Sequence, residues 1–217
     1  MIKLQKGEEP AILAENAAAW TSAIVEKMAL GSKPTQAEKG RYNQPQIKQA
    51  LVTETHGKCA YCESKLRHVA YGDIEHVVPK SSDPNVWFAW ANLTLACGPC
   101  NTKKSNAPVN GDTFIDPYSV DPEEHFWQVG ALVKPKPGSD AAALTENLLE
   151  LNRTELLERR TERLEGLMKM LEVVERCASA PLKTILWDDF CREGEPQREY
   201  AALSRFVVAL AKDKLGY

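Results

Sequence analysis

Two C-x-x-C pairs, Cys59-Ala-Tyr-Cys62 and Cys97-Gly-Pro-Cys100, constrain this chain more than any other feature in it. Each turn of this kind can aim two thiolates at one point, and two turns complete the tetrahedron that Zn²⁺ accepts from four sulfurs. A four-cysteine site leaves no open position for substrate water. The expected zinc is therefore structural, and it pins the segment between the pairs, residues 63 to 96. A redox C-x-x-C would need no twin. Cys177 and Cys191 stand alone in segments with helical periodicity and read as small buried hydrophobes.

Composition supports a metal reading over a disulfide one. The chain has 217 residues, 43% of them hydrophobic and 26% charged. No apolar run reaches the roughly 18 residues of a membrane span, and Met1 to Glu9 has no apolar core of a signal peptide, so the cytoplasm is the expected compartment. Thiols stay reduced there, and paired cysteines bind metal. A formal charge of −3 excludes binding nucleic acid by bulk electrostatics, which needs a basic face. Any such contact must be local or assisted.

Three segments follow from the periodicity. In residues 1–56, Ile12, Leu13, Trp20, Ile24, Val25 and Met28 suit one face of an amphipathic helix, and Pro45 to Thr55 reads as a short helix delivering the chain to Cys59. Residues 57–111 lose that periodicity and are dense in Cys, His, Asn, Gly and Pro, the mark of a site. Residues 112–217 contain a Pro-rich connector at Lys134 to Ser139 and then a helical region. There Asn152 with Glu155 resembles a capping box, Leu182 to Phe190 suggests a second helix, and Pro196 sits at the expected first turn of a third. The expected fold class is α+β, mainly helical, with a small zinc-bearing module between helices.

Between the cysteine pairs lies Asp73-Ile74-Glu75-His76-Val77-Val78-Pro79-Lys80-Ser81, which suits a short strand ending at Pro79. Strand neighbours face opposite ways, so Glu75 and His76 can share one centre only where the backbone bends. Asn92 to Asn106 supplies an apolar strand, the second pair, then Asn101, Lys103 and Lys104 entering a helix. Histidine has a pKa near neutrality, as a base in phosphodiester hydrolysis requires, while carboxylate and amide oxygens suit Mg²⁺ or Mn²⁺. Asp73 reads equally as a neighbour of that metal or of His76 and as a solvent-facing charge. His56, His68 and His125 lack a partner at ligand spacing and are taken as non-catalytic. Trp87 and Trp90, three apart, suit one side of a short helix and read as core of the small module rather than as a base-stacking platform.

E-H-V-V-P-K-S followed by N-L-T-L-A-C-G-P-C-N-T-K-K resembles the HNH nuclease family in its four-cysteine form. The resemblance implies a ββα-metal module. It assigns His76 as general base, Glu75 and Asn101 as ligands of a catalytic divalent ion, and Asn92 as the residue whose amide ties down the inter-strand loop. Family ligands at position 75 are more usually aspartate. Lys80, Lys103 and Lys104 are then candidate phosphate contacts. Ile2 to Gly7, Cys59 to Ser64, Asp116-Pro117-Tyr118, Asp121 to Glu124 and Leu151-Asn152-Arg153 extend the likeness to the HNH subunit of Septu-type and retron-associated anti-phage systems. That likeness implies an SMC/ABC-like ATPase partner and a nucleic-acid substrate, DNA ahead of RNA. The alternatives are an RNA-directed nuclease of the same fold and a catalytically silent zinc-binding adaptor.

Overall fold

The computed structural model describes residues 1–66 and 72–215. The chain is α+β and mainly helical. Helices α1 (Ala11–Ala29), α2 (Gln36–Lys39) and α3 (Pro45–Glu54) lead to an antiparallel pair, β1 (Asp73–His76) and β2 (Leu93–Ala96), closed by α4 (Gly98–Lys104). A hairpin, β3 (Phe126–Val129) with β4 (Leu132–Pro135), precedes α5 (Asp140–Leu149), α6 (Thr154–Arg176), α7 (Ala180–Arg192) and α8 (Ala201–Leu215). None of the described helices is long and apolar enough to cross a membrane.

The sheet that carries the site is held from both sides. β1 pairs with β2 in the register Asp73↔Ala96, Ile74↔Leu95, Glu75↔Thr94, His76↔Leu93. All four residues of β2 are buried: α3 packs on the strand, and the first cysteine turn hydrogen-bonds its backbone at the Leu95 carbonyl. Leu13, Ile24, Ile47, Leu51, Leu93 and Leu95 are almost completely withdrawn from water. Each such burial contributes roughly 1.5–3 kcal/mol.

The N-terminal segment straps this core. The Leu4 amide donates to the Pro117 carbonyl at 2.9 Å, and the Lys6 ammonium, ion-paired to Glu54 at 2.9 Å, lies over the rings of Trp90 and Tyr118. Distant motifs of the sequence, Ile2 to Gly7 and Asp116 to Tyr118, thus meet at the back of β2. A second, smaller core joins α6, α7 and α8 through Leu167, Leu171, Val174, Trp187, Phe190 and Val207.

Several sequence expectations are corrected. In α1 only Leu13 and Ile24 are fully buried, with Ile12, Ala17 and Trp20 partly buried against the core, and Met28 near the C-terminal end is exposed. Asn152 caps no helix: its amide is taken by Val133 and Glu146, and α6 starts at Thr154 without a side-chain cap. α8 begins at Ala201, five residues after Pro196, and Phe206 and Leu210 face solvent. Trp87 and Trp90 belong to separate 3₁₀ turns, with both rings buried in the core. Cys177 lies just past α6, and both it and Cys191 are half-buried. The Pro-rich connector ends an edge strand, where a missing N–H costs no ladder bond.

Candidate active site and metal centre

The two cysteine turns converge. The sulfurs of Cys59, Cys62, Cys97 and Cys100 all lie within 4.8 Å of one another, with Cys62 and Cys97 3.8 Å apart. The first turn is fixed by the Ala60 amide, which donates to the Leu95 carbonyl at 2.9 Å and so docks it on β2. The second opens α4, with the Cys97 sulfur accepting from the Cys100 amide at 3.5 Å. Burial drives the Cys59 thiol well up, while hydrogen bonds from the other three sulfurs hold Cys62 well below an ordinary thiol. Four soft donors that already share protons in a dry pocket fit a tetrahedral dication such as zinc.

A cleft of about 270 Å³ opens on the opposite side of β1 and is lined by Glu75, His76, Lys80, Asn101, Tyr42 and their neighbours. The strand stops at His76, which lets consecutive residues 75 and 76 reach one space despite strand alternation. The His76 Nε2 sits 2.9 Å from the Trp87 carbonyl oxygen. A carbonyl only accepts, so neutral His76 carries its proton on Nε2 and keeps the Nδ1 lone pair free. Burial first, and the Lys80 charge second, push its pKa down to about 4. The ring is therefore neutral at physiological pH.

Asn92 binds the loop between the strands through its backbone, at Val77 and Ala89, and through its side chain. Its Oδ1 accepts from the Val78 amide at 2.7 Å, and its Nδ2 donates to the carbonyls of Val78 (3.1 Å) and Val86 (3.0 Å). Val86 precedes Trp87, whose carbonyl holds His76. The asparagine thus controls the base at one remove, by fixing the turn that orients it.

Glu75 is 6% exposed, and its Oε1 lies 2.8 Å from the Lys104 ammonium. Lys104 aims its hydrogen bond elsewhere, at the His76 carbonyl (2.8 Å), so Glu75 Oε1 is ion-paired but receives no aligned donor. Burial raises the Glu75 pKa, and Lys104 partly opposes this. Asn101 meets Asp73, its Nδ2 donating to Oδ2 at 3.1 Å, which leaves the amide oxygen unclaimed by that bond.

The three lysines separate. Lys104 is 0% exposed and committed to Glu75 and His76, which corrects its expected role as a phosphate contact: no surface remains for a ligand to touch. Lys103 is ion-paired with Glu150 on the far side of α4 from the cleft. Lys80 lines the cleft, donating to the Tyr42 hydroxyl at 3.1 Å. His56 is exposed and His125 bonds Ser139, both away from the cleft; His68 lies outside the described residues.

Tyr42 was not found by sequence reasoning. Its ring meets His76 edge-on, centroids 4.5 Å apart at 87°, and Lys80 sits over its face at 4.7 Å. It enters from the loop between α2 and α3, where a single aromatic among polar residues carries no spacing signal.

The HNH endonuclease family model matches residues 59–107, which span both cysteine pairs, His76, Asn92 and Asn101. Septu protein PtuB of Bacillus thuringiensis is 29% identical over 182 residues, covering 77% of this chain and 70% of that relative. Septu protein PtuB of Bacillus mycoides strain KBAB4 is 25% identical over 245 aligned positions, covering 97% of this chain and 82% of the relative.

Proposed function

We propose that this chain is a metal-dependent endonuclease that hydrolyses phosphodiester bonds, the nuclease subunit of an ATPase-partnered anti-phage defence system, with DNA ahead of RNA as substrate. One observation carries the reading: a neutral histidine whose Nδ1 has no hydrogen-bond partner among the described residues shares a cleft with a buried carboxylate and an asparagine. His76 takes a proton from the attacking water at Nδ1, and the Trp87 carbonyl steadies the N–H that becomes more acidic as the ring charges. Glu75 and Asn101 would hold Mg²⁺ or Mn²⁺. Glu75 Oε1, ion-paired with Lys104 but without an aligned hydrogen bond, fits that role, and carboxylate and amide oxygens are the donors such ions accept. When bound, that ion supplies positive charge at the scissile phosphate. Asn92 orients the base, and Lys80 contributes a flanking phosphate contact. Zn²⁺ in the four-cysteine site serves shape.

The likeness to Septu proteins and the charge of −3 support the partner. With Lys104 buried and Lys103 engaged by Glu150, Lys80 is the cation of the expected three that faces the cleft, so an ATPase partner supplies the rest of the nucleic-acid surface. The setting is the cytoplasm. The test is plasmid DNA and a single-stranded RNA incubated with parent and His76→Ala chains, with Mg²⁺ or Mn²⁺, with and without the ATPase. Cleavage by the parent and its loss in the variant are expected. Equal cleavage by both would remove His76 from the role of base, and no cleavage under any condition would favour the silent adaptor.

A further inference from the structure

The four-cysteine cluster has a charged neighbour outside the segment that the HNH family model spans. Arg153, at the N-cap of α6, brings Nη2 to 3.6 Å from the Cys100 sulfur and 3.9 Å from the Cys97 sulfur. Its Nη1 donates to the carbonyls of Leu149 (3.1 Å) and Glu150 (3.3 Å), at the C-terminal end of α5. Glu150 adopts a left-handed backbone, φ 45°, which reverses the chain between the two helices and turns Arg153 back toward the second cysteine pair. One planar guanidinium thus bridges the α5–α6 corner and two sulfurs, a geometry that lysine's point charge does not reproduce.

Charge balance gives the contact its meaning. Four thiolates around a dication leave a net charge of −2, and Cys59, Cys62 and Cys100 are at most 2% exposed. Burying such a charge costs several kcal/mol unless donors and cations compensate it. The nearby lysines are engaged elsewhere: Lys58 on Glu63 and the Arg198 carbonyl, Lys103 on Glu150. Among the described residues, Arg153 is the one cation with a hydrogen bond to these sulfurs.

We infer that Arg153 is the charge-compensating partner of the four-cysteine zinc site, and that through it the zinc and the α5–α6 corner stabilise one another. This rests on the zinc reading of the cluster. The coupling is reciprocal by linkage: what strengthens the corner tightens binding of the ion, and the ion holds the corner.

The experiment measures zinc content by elemental analysis and the rate of zinc transfer to the chromogenic chelator 4-(2-pyridylazo)resorcinol. It uses full-length parent, Arg153→Gln and Arg153→Lys. Partners that hydrogen-bond metal ligands typically change affinity 10- to 100-fold. Release from the glutamine variant is therefore expected to be about tenfold faster or more, and from the lysine variant to fall between it and the parent. Cobalt substitution separates direct contact from packing, because loss of N–H···S bonds moves the sulfur-to-cobalt charge-transfer band. A glutamine variant that releases zinc at the parental rate, or whose cobalt band does not move, overturns the inference. Should that variant fail to fold, the lysine variant decides: parental release overturns, faster release supports. A parent without zinc fails the four-cysteine reading itself, which the parent's elemental analysis reveals before any variant is compared.

Discussion

Lys104 is the residue whose role changed most between sequence and structure. In sequence it is one of two adjacent lysines after Asn101, and adjacent lysines on a helix suggest a basic surface. In the structure it is sealed beneath the cleft, its ammonium shared by Glu75 and the His76 carbonyl, while Lys103 faces outward. Burial of one and exposure of its neighbour follow from the 100° step of a helix, but which face turns inward depends on tertiary packing. Removing one member of a buried ion pair strands the other. Lys104→Met should therefore cost about 3–5 kcal/mol in urea unfolding, against under about 1 kcal/mol for Lys103→Ala. Similar losses for the two would mean that Lys104 is not the buried partner of Glu75. Asn92→Ala removes three hydrogen bonds to one loop and should cost about 1–3 kcal/mol, read by the same titration. The convergence of the four cysteines was legible in the sequence from their doubled spacing. Tyr42 and Arg153 were not legible in their roles, because each meets its partner only through tertiary packing of elements that spacing does not encode.

At the scale of elements, short-range signals served where the backbone itself is constrained. The helix after Pro45 and the helix entered at the second cysteine pair follow from Pro, Gly and Cys at fixed offsets, whereas β1 stops at His76, short of the end expected at Pro79. The β3–β4 hairpin and α5 were missed because they are amphipathic over too few residues to outweigh Pro and Ala. Entry into β1 depends on Gly72, φ +64°, where an added Cβ would stand 2.7 Å from Leu66 Cδ1 and 3.1 Å from Leu95 Cδ1. Gly72→Ala meets both a left-handed penalty of about 1–2 kcal/mol and a clash, so it should destabilise by more than either alone. A stability equal to the parent in chemical denaturation would contradict that conformation. The loop that carries Tyr42 is anchored by a capping box on α2, Thr35 with Glu38, and Glu38 is also ion-paired to Lys27 of α1. The hydrogen bond from Lys27, then those from Thr35, bring the Glu38 pKa down to about 2. A depressed folded pKa stabilises above the unfolded value, near 4.5, and that contribution is lost as pH falls through about 2. Carboxyl NMR titration should place the Glu38 midpoint well below ordinary glutamates, and Lys27→Met should raise it. A midpoint near 4.5 in the parent would show the cap unformed.

For the whole molecule, the decisive separation is between the two proposed cation sites, the four-cysteine cluster and the cleft at Glu75 and Asn101. The four sulfurs are buried and wrapped by residues from three parts of the chain: the first turn on β2, the second on α4, and Arg153 from the α5–α6 corner. An ion held there would be gripped by four sulfurs with no ligand position left for water. The cleft at Glu75 and Asn101 faces solvent through Lys80, Ser105 and Asn106, and its ion would have few protein ligands and several waters. The two sites are therefore expected to differ in exchange rate, the thiolate site being the slower. Brief treatment of the full-length chain with EDTA, followed by desalting, should abolish nuclease activity while leaving about one zinc per chain, and Mg²⁺ or Mn²⁺ added back should restore cleavage without added zinc. Elemental analysis and cleavage assays on the same sample check both halves. If zinc and activity left together and only zinc restored activity, the chemistry would belong to the thiolate site, and the division of labour between sulfur and oxygen ligands would be wrong.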